Sequence, residues 1–81
     1  MDIYEIKKEV HDIILLSDII SPDTILEDDT LLSECGLDSI GIVELIISIE
    51  EKYAFEFSSN DLYLKNFKTI NSISSLVYRL V

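Results

Sequence analysis

The sequence predicts an all-α fold: a small bundle of three main helices plus one short helix, with a long ordered loop between the first and second helices. Three observations predict it. Ile3, Ile6, Val10, Ile13 and Ile14 recur at helical spacing near the N-terminus; the run from Ser39 to about Tyr53 has no glycine after Gly41 and no proline; and Ile73, Leu76, Val77 and Leu80 form a third stripe. Only Tyr53, Phe55 and Phe57 alternate as a strand would, and no second strand is present to pair with them.

The first helix is expected over about 2–16, because Asp2, Glu5, Lys8, Glu9 and Asp12 fall between the apolar positions and leave one face wet. From Ser17 to Asp38 the period breaks. Ser21-Pro22-Asp23 is a turn signal, and Asp28-Asp29-Thr30 offers a cap for a short turn through Leu31 and Leu32. The segment is long for a connection, and Ile19, Ile20, Ile25, Leu26, Leu31 and Leu32 are expected to anchor it over the core.

Asp38 stands where the N-cap of the second helix belongs. After that helix, Tyr53, Phe55 and Phe57 are read as aromatic anchors of a loop. Ser59 or Asn60 is expected to cap a short helix over 60–64, and Thr69 or Asn71 to cap the last one, whose end carries Arg79 where the helix dipole favours a cation.

At 81 residues the chain is expected to form one domain, 1–81, since a core of this size cannot be divided into two stable ones. One cysteine allows no internal disulfide, and no Cys/His spacing suits a structural zinc, so a cytoplasmic setting fits. The first residues lack the basic and apolar regions of a signal peptide, and no apolar run approaches a membrane span.

The formal net charge is −10, which disfavours nucleic acid and anionic membrane surfaces as partners and favours basic protein surfaces. The charge is unevenly placed. Residues 1–56 carry −12, whereas residues 57–81 carry +2 through Lys65, Lys68 and Arg79 against Asp61.

The second helix has two apolar faces. Ile42, Leu45, Ile46 and Ile49 supply the stripe that buries it. Ile40, Val43 and Ile47 lie on a different side, flanked by Glu44, Glu50 and Glu51. A broad apolar arc facing a crowded interior would give this pattern, and so would a docking strip for a basic partner with an apolar centre.

Ser39, in Gly36-Leu37-Asp38-Ser39-Ile40, opens that helix, where free backbone N–H groups and the positive end of the dipole suit an attached phosphate. Gly36 is expected to let the chain turn into the helix, and Gly41 to keep the surface beside the serine low. By position alone Ser39 suits a cap or a solvated surface residue better than an attachment site.

Enzymatic chemistry finds no support. His11, the one histidine, is expected on the exposed side of the first helix, distant in sequence from Ser39 and Cys35. Cys35 reads as a semi-buried small apolar residue. Asp23 to Glu34 is acid-rich but lacks the ordered calcium-loop pattern, and no Walker, Rossmann or metalloprotease motif occurs, so no metal site is expected.

Taken together, Asp38-Ser39-Ile40, Val43-Glu44-Leu45, Ile49-Glu50-Glu51, the Tyr53-to-Phe57 aromatics and Asn66-Phe67-Lys68-Thr69-Ile70 resemble the acyl carrier protein family along most of the chain. The resemblance implies 4'-phosphopantetheine, donated by coenzyme A and attached to Ser39 with Asp38 beside it. A phosphopantetheinyl transferase would make the attachment, and the arm's thiol would hold cargo as a thioester. It also implies a non-catalytic, monomeric, cytoplasmic carrier. Ile40, Val43, Glu44, Ile47 and Glu51 would meet the acyl- or aminoacyl-loading enzyme and the downstream synthase enzymes of fatty-acid, polyketide or nonribosomal peptide biosynthesis. Gly41 stands where fatty-acid carriers commonly have an acid. The same stretch is similar to D-alanyl carrier proteins, which serve cell-wall teichoic acid modification. The reading from a different class is an unmodified acidic adaptor that binds through the second helix.

Overall fold

The structure, a computed structural model, describes residues 2–17, 20–21 and 23–81. Helix α1 spans Ile3–Leu16 and starts where the Asp2 carboxylate accepts the Glu5 N–H at 2.9 Å, satisfying a donor that a first turn leaves free. Ile6, Val10 and Ile14 are buried, while Ile3 and Ile13, at the borders of the stripe, are half-buried.

The following loop is docked, but not by all of the expected anchors. Ile20 and Leu32 are buried and Leu26 packs partly against the core. Ile25 and Leu31 instead remain 81% and 43% exposed. An irregular segment has no period, so apolar character alone does not say which side chains turn inward. Ile19, and Pro22 of the expected turn, lie outside the described residues; the Thr24 N–H donates to the Ser21 carbonyl at 3.0 Å. Polar ties complete the docking. The Asn71 backbone N–H donates to the Asp28 carbonyl at 3.0 Å and its side-chain amide to the Asp29 carboxylate, while the Leu32 N–H donates to the Lys68 carbonyl at 2.9 Å.

A four-residue 3-10 helix, Leu32–Cys35, ends this loop. The expected cap is corrected here: Leu31 occupies the N-cap position without a side-chain bond, and the Thr30 hydroxyl turns back to accept the Glu27 N–H at 3.0 Å. Gly36 then takes φ 100°, a left-handed conformation that a side chain would penalise, and redirects the chain.

Helix α2, Ser39–Tyr53, is capped by Asp38, whose Oδ1 accepts the Gly41 N–H at 2.8 Å. Beyond it the Glu50 carboxylate accepts the Phe57 N–H at 2.8 Å and folds the 54–57 segment back along the helix. The aromatic anchors hold as expected, with the Phe57 ring 4.9 Å from Phe55 and in edge contact with Phe67 at 5.7 Å.

The short helix is displaced from its expected place. Residues 59–61 form a turn, closed by the Asp61 carboxylate accepting from both the N–H and the hydroxyl of Ser58. The short helix is a 3-10 turn at Leu64–Phe67, four residues long, and neither Ser59 nor Asn60 caps it. It forms where Phe67 reaches the core, so packing outweighs the local capping signal.

Helix α3, Ile70–Leu80, begins with a capping box in which Thr69 and Ser72 bond each other's backbone N–H groups. Ile70, Ile73, Leu76 and Val77 are buried; Leu80, the expected last member of the stripe, is 40% exposed in the last turn. The three helices close over one cluster: α3 lies chiefly against α1, and α2 also packs on α1. All regular elements among the described residues are helical.

Candidate functional site

Helix α2 divides as its spacing implies. Leu45 and Ile49 are fully buried and Ile42 and Ile46 pack against the core, whereas Ile40, Val43 and Ile47 stand 72%, 55% and 49% exposed. The second stripe therefore faces outward, and Glu44 and Glu51 are exposed beside it. Glu50 differs, because its carboxylate is engaged by the Phe57 N–H. An apolar line left in water and edged by free carboxylates suits a partner with a cationic, apolar-centred surface.

Ser39 is the first residue of α2, exposed at its positive end. The Asp38 carboxylate takes the Gly41 N–H, and the Ile42 N–H donates to the Asp38 carbonyl at 2.9 Å. No hydrogen bond among the described residues engages the N–H of Ser39 or Ile40. An oxyanion esterified to the Ser39 hydroxyl would thus lie by unspent donors and the helix dipole. Asp38 has the geometry of a cap, which fixes where the helix begins and so where the serine points.

Gly41 does not sit where the spacing argument put it. It is buried, one turn before Leu45 on the inward face, so it permits close packing under the helix rather than lowering the surface beside the hydroxyl. The accessibility of Ser39 comes from its place on the outer edge of the first turn.

One group of residues beside Ser39 escapes the sequence reading. A groove of about 190 Å³ opens at the serine, lined by Ile42 and Ile46 of α2 and, opposite, by Leu62, Tyr63 and Leu64. These three are 44%, 54% and 67% exposed. A neighbouring cavity of about 220 Å³ shares Ile42, Leu64 and Phe67 and is bordered by Leu31, Leu37 and Lys68. The signal in the sequence is three consecutive large apolar residues, Leu62, Tyr63 and Leu64, that fit no helical stripe and that a helix over 60–64 does not single out.

The remaining candidates do not converge on Ser39. Cys35 is half-buried and packs against the core, as its small apolar character implies. His11 is half-buried rather than on an open face, its Nδ1 3.7 Å from Asp12. No group of three or more metal-ligating side chains occurs among the described residues, and no helix there is long and apolar enough to cross a membrane.

The family model for the phosphopantetheine attachment site matches residues 10–77. An acyl carrier protein of Bdellovibrio bacteriovorus is 30% identical over 70 residues, covering 86% of this chain and 87% of that protein. An acyl carrier protein of Chlamydia muridarum is 40% identical over 42 residues, 52% of this chain; the match spans about half, 54%, of that relative's length. Among solved structures, a chain in the complex of an engineered Bradyrhizobium japonicum glycine:carrier-protein ligase with carrier protein from Agrobacterium tumefaciens and ATP superposes with a TM-score of 0.81 at 28% identity. That superposition covers 94% of this chain and 99% of the other.

Proposed function

This chain belongs to the phosphopantetheine-attachment family of acyl carrier proteins, whose members carry 4'-phosphopantetheine covalently and are carriers rather than catalysts, and on that premise we propose that Ser39 is its attachment residue. The observation that carries the reading is an exposed hydroxyl at the N-terminus of α2, with the Ser39 and Ile40 N–H groups free and an apolar, acid-edged strip beginning beside it. In the attachment step the Ser39 oxygen bonds to the phosphorus next to pantetheine in coenzyme A. The bond to the adenosine bisphosphate half breaks, and the hydroxyl proton passes to a base of the transferase. The arm, once bound, supplies a thiol that holds cargo as a thioester.

What the chain's own residues do is positional. Asp38 sets the first turn, the free Ser39 and Ile40 N–H groups would hold the attached phosphate, and Ile40, Val43, Glu44, Ile47 and Glu51 present the docking surface to the transferase and to loading and synthase enzymes with basic faces. Tethering raises the cargo's effective concentration at each active site. The chain acts as one cytoplasmic, monomeric carrier domain.

For cargo, we favour an acyl or aminoacyl group. Two points support the aminoacyl side, a class that includes D-alanine: Gly41 is an inward glycine where, by the family resemblance, fatty-acid carriers commonly have an acid, and the superposed structure is a complex with a glycine:carrier-protein ligase.

Intact mass after incubation with coenzyme A and a phosphopantetheinyl transferase tests the attachment. The native chain gains one phosphopantetheine and Ser39→Ala gains none. A native chain that gains nothing would favour the unmodified adaptor, and an equal gain on Ser39→Ala would move the site elsewhere.

A further inference from the structure

The groove at Ser39 runs between two apolar walls, Ile42 and Ile46 of α2 and Leu62, Tyr63 and Leu64 opposite, and the charges that lie beyond the two walls differ in sign. On one side α2 exposes Ile40, Val43 and Ile47 with the carboxylates of Glu44 and Glu51. On the other, Leu62, Tyr63 and Leu64 are exposed, and the next charges along the chain are cationic: Lys65, whose ammonium lies 5.8 Å from the centre of the Tyr63 ring, and Lys68 at the rim of the neighbouring cavity. Residues 62–68 contain no acid, and neither lysine forms an ion pair among the described residues. The carboxylate of nearby Asp61 is occupied by Ser58. In a chain of net charge −10, the 62–68 segment is a local reversal of sign, and its Leu62, Tyr63 and Leu64 line the groove at the serine.

We propose that the 62–68 bank is the second half of the surface docked by the phosphopantetheinyl transferase, and that the transferase meets it with an anionic patch while meeting α2 with a cationic one. The inference rests on Ser39 as the attachment residue. An enzyme that loads or extends cargo reaches it through the arm and need not cover the serine. The transferase has no arm to work through. Its active site must close over the Ser39 hydroxyl itself, and the structure places apolar surface on both sides of that hydroxyl. Leu62, Tyr63 and Leu64 supply desolvated area, and Tyr63 holds the Lys65 ammonium beside it.

A surface of one sign attracts a partner without orienting it, whereas a surface divided between negative and positive has one favourable rotation about the serine and penalises the reverse. The two banks therefore set the angle at which the transferase meets the Ser39 oxygen.

The test uses the full-length chain, coenzyme A and the phosphopantetheinyl transferase purified from the cells that make this protein, with intact mass as the readout of rate. Replacing both lysines (Lys65→Glu with Lys68→Glu) is expected to lower kcat/KM on the order of tenfold at low ionic strength, through KM, and to leave the melting temperature near that of the native chain. Raising the salt should shrink the difference between the two chains, which a fold defect would not do. The milder Lys65→Gln with Lys68→Gln should fall between them. An unchanged or faster rate for the glutamate variant, or a deficit that salt leaves intact, overturns the two-sign docking while attachment at Ser39 stands. If the native chain is not modified at all, the attachment reading itself fails and this inference with it.

Discussion

The Tyr53 hydroxyl donates to the Glu9 carboxylate at 2.8 Å, joining the last turn of α2 to the middle of α1 across 44 residues of sequence. Lys52, one residue earlier, approaches the other oxygen of the same carboxylate at 3.5 Å. Partial burial of the phenol, then its hydrogen bond to Glu9 and the charge there, raise the Tyr53 pKa above the ordinary 10.0. The neutral phenol is thus favoured in the folded chain. Its contribution to stability is fully present below pH 10.0 and is lost as the pH rises from there through the folded value. Subtracting the alkaline absorbance titration of Tyr53→Phe from that of the native chain should isolate a phenol that ionises above the ordinary value. The same substitution should lower stability in urea by about 1 kcal/mol. A difference curve centred at the ordinary tyrosine value would contradict the contact.

Asp38 is expected to matter to both folding and modification. Asp38→Ala frees the Gly41 N–H and should destabilise the chain by about 1 kcal/mol, while Asp38→Asn, which keeps an acceptor, should retain most of that stability. Because the cap fixes the first turn, the alanine variant should also be modified at Ser39 more slowly, and equal rates for all three chains would separate the cap from the reaction.

Ser74 lies fully buried in α3, and its hydroxyl has no hydrogen-bond partner among the described residues. A desolvated hydroxyl without a partner opposes folding, so Ser74→Ala should raise stability by about 1 kcal/mol. A thermal melt that moves downward would show that this oxygen has a stabilising role.

Ala54 ends α2 with φ 56° and ψ 47°, where its N–H caps the Glu50 carbonyl. Glycine lacks the Cβ that resists this conformation, and Ala54→Gly should stabilise the chain by roughly 0.5–1 kcal/mol. Urea midpoints of the two chains decide it, and a lower midpoint for the glycine variant would count against the strain.

Glu44 is exposed beside Val43 and Ile47, so Glu44→Lys should leave the helix folded and weaken encounter with a basic partner. We expect kcat/KM for transfer to fall several-fold, on the order expected for a rim charge whose effect salt screens. Unchanged kinetics at low salt would remove Glu44 from the docking surface.

Much of this molecule is legible from periodicity and caps. The stripe from Ile6 to Ile14, the Asp38 cap, the glycine turn at Gly36 and the separation of Ile40, Val43 and Ile47 from the buried stripe of α2 all follow from local rules, because a regular helix converts spacing into direction. The irregular segments gave way. Ile25 and Leu31 count as apolar anchors yet stay in water, and the short helix moved from 60–64 to Leu64–Phe67, where Phe67 finds the core.

By itself, then, the sequence determined three helices, their buried faces, their starts, and a serine at the head of an acid-edged helix. Only the tertiary structure decided that Gly41 faces inward, that Asn71 ties down the loop through Asp28 and Asp29, and that Leu62 to Leu64 stand across a groove from Ile42 beside Ser39. The physical reason is range. Helical spacing and caps act between residues a few positions apart, whereas the groove brings together segments at least 16 residues apart (Ile46 to Leu62), which no local pattern records.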